Sequence, residues 1–314
     1  MKTSFININP DILIVIGLIF AILVFATTLF YIVGKVKPEA NLRELKMRTK
    51  SWWVMATVFI ACTMFNPVVS YFAIGLLSFL ALRELFTMLN LRQSDRRAIF
   101  WAYLAIPIQY YLAYKHYYGA FIIFIPVVMY MFLPFRLVLK GETNGIIQSM
   151  AILPGALMLC VFGISHMAYM LSLPDIKGFA AGGRGILLFL VFLTEINDVL
   201  QFTWGKLLGK HKIIPLVSPN KTWEGFIGGV ISTTIIGYFL CFLTPLSPLQ
   251  AAFASFMVAV SGFVGDIVIS AVKRDIGLKD TGTTIPGHGG LLDRIDSLSY
   301  TAPVLFHIIY FIAY

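Results

Sequence analysis

Between residues 270 and 296 the chain reads SAVKRDIGLKDTGTTIPGHGGLLDRID, placing four basic residues, four acidic residues, one histidine and five glycines between two apolar runs. Asp293 and Asp296, at i and i+3, can share one helix face. With Asp266, in Gly262-Phe263-Val264-Gly265-Asp266, they offer the hard oxygen donors that bind Mg²⁺ and leave its remaining positions to phosphates. Lys273, Arg274, Lys279 and Arg294 supply the opposite charge, and a guanidinium fork suits phosphate oxygens especially well. In Pro286-Gly287-His288-Gly289-Gly290 the glycines let backbone N–H groups approach an anion closely. Carboxylates that hold a metal beside such cations suit phosphoryl or nucleotidyl transfer.

A second loop, Ser218-Pro219-Asn220-Lys221-Thr222-Trp223-Glu224-Gly225, opens another apolar run. Pro219 or Thr222 suits a helix start, so the positive end of that helix and its N–H groups can receive phosphate beside Lys221. Glu195 and Asp198, three apart inside an apolar run, share a face that points either at a cation or into a polar network between helices. Arg83 and Glu84 are weaker candidates, because adjacent helical residues diverge and both lie near a helix end where long side chains reach water. Cys62, Cys160 and Cys241 lie far apart in apolar runs and read as small hydrophobes.

The elements that position these groups must be membrane helices. Of 314 residues, 59% are hydrophobic and 12% charged, with mean hydropathy +0.85, whereas soluble domains carry about 25% charged residues. Apolar runs long enough to span a bilayer recur along the whole chain. An all-α polytopic membrane fold with about ten transmembrane helices is expected, near 11–34, 51–66, 68–90, 98–114, 118–135, 146–173, 186–205, 225–245, 249–271 and 297–314; nine result if Asn66-Pro67 is a break within one element. Residues 1–180 then form an N-terminal array of about six spans and 181–314 the catalytic region, within one integrated membrane domain. With ten spans, one set of loops holds 19 Lys and Arg and the other, with the N-terminus, only Lys2, Lys115, Lys177 and Arg184. The positive-inside rule puts the first set in the cytoplasm. The net charge of +9 is thereby explained by topology, without a nucleic-acid partner.

The stretch 270–296 resembles the signature of the CDP-diacylglycerol synthases (phosphatidate cytidylyltransferases). Matching positions are Ser270, Val272, Lys273, Arg274, Lys279, Asp280, Gly282, Ile285, Pro286, His288, Gly289, Gly290, Leu291, Asp293, Arg294, Ile295 and Asp296. Ser218, Pro219, Lys221, Thr222, Glu224 and Gly225 also match that family, after a basic, Gly-rich helix end at Gly205-Lys206 and Gly209-Lys210. The likeness covers about residues 190–300, with one departure: Asp198 is followed by Val199-Leu200-Gln201-Phe202 where many bacterial members have Asp-x-x-Ala-Tyr.

The resemblance implies that CTP and phosphatidic acid give CDP-diacylglycerol and pyrophosphate in a bacterial inner (cytoplasmic) membrane, with the site facing the cytoplasm. It implies Mg²⁺ on Asp198, Asp266, Asp293 and Asp296, with room for a second cation. Ser218, Lys221, Thr222, Glu224, Lys279, Asp280, Gly289, Gly290 and Arg294 would bind CTP or lipid phosphate. Lys273 and Arg274 would act with the metal carboxylates, and His288 would assist the leaving pyrophosphate. A homodimer is implied by the resemblance only. The rival readings are a related enzyme with another acceptor, such as a CDP-archaeol synthase, and an ion-coupled transporter. A transporter gives no reason for the charge cluster at 270–296.

Overall fold

The computed structural model describes residues 9–36, 43–64, 66–278, 281–282 and 289–314. Among them are ten helical rods: α1 Pro10–Val36, α2 Arg43–Thr63, α3 Pro67–Met88, α4 Arg96–Tyr114, α5 Tyr118–Val138, α6 Ile146–Leu171, α7 Gly182–Leu208, α8 Trp223–Phe239, α9 Pro248–Asp275 and α10 Leu292–Ala313. An isolated antiparallel bridge joins Lys212 and Thr222. Seven rods, α1, α3, α5, α6, α7, α9 and α10, are long and apolar enough to cross a membrane. Of the others, α8 has 17 residues, α4 opens on Arg96-Arg97, and α2 opens with Arg43, Lys46, Arg48 and Lys50. Large apolar side chains such as Phe25, Phe72 and Met131 are exposed on the outer faces, as lipid-facing helices require. The chain is an integral membrane protein.

Two helix starts, of α2 and α10, depart from the expected boundaries for physical reasons, and the expected division before α3 is present. The basic residues from Arg43 onwards join α2, since long charged side chains tolerate a helix end near water. The break before α3 is real: Pro67 takes the first helical position, where no N–H is needed, and the Asn66 side chain accepts the Val68 N–H at 2.9 Å. Helix α10 starts five residues earlier than its apolar run, which carries Asp293 and Asp296 into its first two turns.

Helix α6 is the hub, packed against α3, α4, α7 and α10, and it buries Val161, Ile164, Met167 and Ala168. Cys160 is buried there and Cys62 and Cys241 are half-buried, all three as free thiols. Towards the C-terminus α8 lies between α7 and α9, and α9 packs on α10. The α7–α8 crossing is close because both helices present glycine. A Cβ on Gly225 would stand 2.7 Å from the Gln201 carbonyl oxygen and 2.9 Å from Gly205 Cα, so any larger residue would push the helices apart.

The connections of the N-terminal helices are tied by one ionic knot. Arg92 binds Asp95 at 2.8 Å and the Asn144 carbonyl at 2.5 Å, while the Ser149 hydroxyl donates to Asp95 at 2.7 Å. Asp95 is fully buried. Removing one member of a buried ion pair is strongly destabilising, by about 3–5 kcal/mol. Asp95→Ala is therefore expected to lower the thermal midpoint in detergent clearly, with catalytic rate per folded molecule unchanged; an unshifted midpoint would show that the knot does not stabilise the fold.

Candidate active site

Helices α7, α9 and α10 converge on a polar cavity of about 200 Å³ lined by Glu195, Asp198, Asp266, Lys273, Asp293, Arg294 and Asp296. The i, i+3 spacings act as expected: Glu195 and Asp198 reach it from α7, and Asp293 and Asp296 from α10. The charges of the cavity are partnered unequally. Lys221, just before α8, binds Asp266 at 2.5 Å, with its ammonium 4.7 Å from the centre of the Phe263 ring. Ser270 donates to the other Asp266 oxygen at 3.2 Å. Lys273 binds Asp293 Oδ1 at 2.7 Å, and the second Asp293 oxygen accepts the N–H groups of Thr281 at 2.8 Å and Gly290 at 3.0 Å. Both oxygens of Asp293, expected as a metal ligand, are thus engaged within the protein.

Asp296 is buried and accepts the Ser297 N–H at 2.7 Å. Asp198 Oδ2 is 3.4 Å from the Ser297 hydroxyl, while its Oδ1 is buried without a hydrogen-bond partner among the described residues. An orphaned carboxylate oxygen at the wall of a carboxylate-rich cavity fits a hard cation. Among the described residues no group of three or more His, Cys, Asp or Glu side chains forms a ready cage for a metal. Mg²⁺ is usually held by one or two carboxylates, with substrate phosphates and water as the rest of its shell.

The remaining expected site residues are scaffolding for this cavity or lie apart from it. Thr222 is the N-cap of α8, its hydroxyl accepting the Gly225 N–H at 3.2 Å. Glu224, expected among the substrate-binding groups, turns back to the preceding loop. It accepts the Lys210 N–H at 3.0 Å and the His211 N–H at 3.2 Å, and pairs with the His211 ring at 2.6 Å. Ser218 is half-buried in the same loop, its N–H bonded to the Ile214 carbonyl at 2.9 Å. Arg274 joins the two chemistry-bearing loops by donating to the carbonyls of Val217 at 3.2 Å and Leu278 at 3.0 Å. Gly289 adopts φ +88°, a left-handed conformation that favours glycine. Lys279, Asp280 and His288 lie outside the described residues.

One partner was missed in the sequence. The Glu84 carboxylate of α3 accepts the N–H groups of Leu291 at 2.9 Å and Leu292 at 3.1 Å and the Thr281 hydroxyl. Gly290, the last residue of the turn expected to approach an anion, therefore gives its amide to Asp293, and the next two amides, of Leu291 and Leu292, go to Glu84. Negative charge at a helix N-terminus is stabilising whichever anion supplies it. At α8 as well, the Trp223 N–H is bonded to the His211 carbonyl at 2.9 Å.

A second cavity, of about 480 Å³, adjoins the first. It is lined almost wholly by apolar side chains of α1, α2, α3, α7 and α10, among them Leu23, Phe59, Leu77, Phe192 and Leu298. Glu195 and Arg294 line both cavities. The Nε of Arg294 is buried there without a hydrogen-bond partner among the described residues. Toward the outside the apolar groove is bounded by Ile22, Val58 and Val199, all exposed.

The sequence model of the cytidylyltransferase family matches residues 46–312. YnbB of Escherichia coli, an uncharacterised protein, is 40% identical over 300 residues, 94% of this chain and 97% of its own length. The phosphatidate cytidylyltransferase of Mycobacterium leprae is 42% identical over 123 residues, 39% of either chain. That of Staphylococcus haemolyticus is 38% identical over 125 residues, 39% of this chain and 48% of its own length.

Proposed function

Because this chain belongs to the cytidylyltransferase family, and is thus a nucleotidyltransferase, we propose that it joins CTP to phosphatidate to give CDP-diacylglycerol and pyrophosphate. The observation that carries this reading is the meeting of an apolar groove and a carboxylate-lined cavity at Glu195 and Arg294. A lipid phosphate needs both environments at once: acyl chains among apolar helices and a headgroup beside a cation. Arg294, with its unpartnered Nε, receives the lipid phosphate, and the carboxylate cavity receives the triphosphate. The names of the shorter-matching relatives support the same acceptor.

A phosphate oxygen of the lipid attacks the α-phosphorus of CTP, the α–β bridging bond breaks, and pyrophosphate leaves with the bonding electrons. The lipid phosphate is already an anion, so no strong base is required; the barrier is repulsion between two phosphates. Lys221 and Lys273 offset that repulsion, and a hard cation such as Mg²⁺, which Asp198 and Asp296 would hold, would supply further neutralisation of the triphosphate. Asp293 fixes the Lys273 ammonium, and Arg274 keeps the two loops together. The cavity faces the cytoplasm of a bacterial inner membrane, the compartment that holds CTP.

The test is incubation of the purified protein with labelled CTP, Mg²⁺ and phosphatidate in mixed micelles. Label should enter the organic phase and vanish with EDTA, and in sealed vesicles only inverted ones should use external CTP. Product with a different phospholipid acceptor and none with phosphatidate would reassign the acceptor. Folded protein that labels no lipid would overturn the reading. Narrowing the groove gives a sharper check. Ala56 of α2 and Ala73 of α3 line it, and Ala56→Trp or Ala73→Trp is expected to raise the KM for lipid about tenfold, an overpacking effect of ~1–3 kcal/mol. The KM for CTP should stay at its wild-type value; equal change in both would remove the groove from acceptor binding.

A further inference from the structure

We infer that Glu84 is a positioning residue for the transfer, holding the first turn of α10 so that Asp293, Arg294 and Asp296 face the cavity together. The inference rests on the cavity being the reaction site. Glu84 lies outside the loops that carry the chemistry, about 200 residues from its partners in sequence. Its carboxylate gathers three donors: the Leu291 and Leu292 N–H groups at the start of α10, and the Thr281 hydroxyl from the preceding loop. The Thr281 N–H goes to Asp293, so Glu84 and Asp293 both hold the same residue of that loop.

Gly290 is what lets the grip close. A Cβ at that position would overlap both the Glu84 carboxylate and the Thr281 hydroxyl. The two carboxylates also divide the amides of this turn, Gly290 going to Asp293 and the next two to Glu84. If the grip is lost, the amides of 291 and 292 are left without acceptors and the first turn of α10 can fray. The cavity groups at 293, 294 and 296 would move with it.

Glu84 also connects the two halves of the site. Leu77, which lines the apolar groove, is seven residues earlier on α3, two helical turns along the same face. An acceptor lying in the groove therefore bears on the helix that clamps the catalytic turn.

Two measurements test this, one of which needs no turnover. Hydrogen exchange of the peptide covering 289–298 should quicken in Glu84→Ala and remain near wild type in helices α4 and α5; unchanged protection at 289–298 would overturn the clamp. In turnover assays kcat of Glu84→Ala should fall about 100-fold, the upper range for residues that orient metal ligands, and the Mg²⁺ concentration for half-maximal rate should rise. Glu84→Gln keeps one acceptor oxygen and should restore a substantial part of both. Wild-type kcat and Mg²⁺ dependence in folded Glu84→Ala would overturn the positioning role. If wild-type protein labels no lipid, the reaction reading fails by itself, and the exchange result still decides whether Glu84 holds α10.

Discussion

Asp296→Asn is expected to lower turnover by about a thousandfold while leaving the thermal midpoint in detergent at or above the wild-type value. Asp296 is buried against the cavity that Asp198 and Asp266 also line. The substitution keeps the acceptor for the Ser297 N–H but removes a negative charge from a group of like charges. Folding does not suffer from that change, because carboxylates crowded together repel one another. Catalysis does, because preorganised charge aimed at transferring phosphates commonly contributes 10²–10³-fold per group removed, and a ligand oxygen is lost besides. Single-turnover labelling of lipid from CTP, with a thermal scan of the same sample, separates the two effects. A rate within tenfold of wild type would take Asp296 out of the proposed metal set.

Asp293→Asn should behave differently, losing both activity and stability. Its partner Lys273 is buried, and the pair is 2.7 Å long. Removing the carboxylate charge leaves a buried ammonium without its counterion, a loss of about 3–5 kcal/mol. Lys273→Met in the Asp293→Asn background should recover much of the thermal midpoint, since the stranded charge is gone, with turnover still absent. The expected contrast is that one aspartate is needed for chemistry alone and the other, one turn away, for chemistry and for the shape of the loop. A wild-type midpoint in Asp293→Asn would mean that the Lys273 pair does not organise this loop.

The helical array was legible because apolar runs and bilayer thickness leave little choice, and each of the ten expected runs coincides with a helix. The start of α2 was hidden by four basic residues that apolarity alone assigns to a loop. In the site, Asp266, Lys273, Asp293 and Asp296 were legible because charges beside apolar runs stand out. Their division of labour was not: whether a carboxylate is spent on a lysine, as for Asp293, or left with an orphaned oxygen, as for Asp198, depends on geometry between helices. Glu84 was passed over for a related reason. Its partners are mainly backbone amides, which have no signature in side-chain chemistry, and they lie more than 200 residues along the chain. For Glu224 the motif position, three residues after Lys221, does not disclose that its carboxylate turns to the Lys210 and His211 amides.

On the proposed reaction, the groove bounded by the exposed side chains of Ile22, Val58 and Val199 also sets the units in which this enzyme measures its substrates. An acceptor that slides in along the membrane plane is counted as a mole fraction of the surrounding lipid, whereas the nucleotide is counted as a concentration in water. Diluting the acceptor with inert detergent or lipid should therefore slow the reaction at constant bulk concentration. The products separate the same way: the nucleotide-bearing lipid returns to a two-dimensional sheet and pyrophosphate escapes into three dimensions. The reverse reaction therefore depends on the surface fraction of that lipid and on the aqueous concentration of pyrophosphate, and removal of either product pulls the reaction forward.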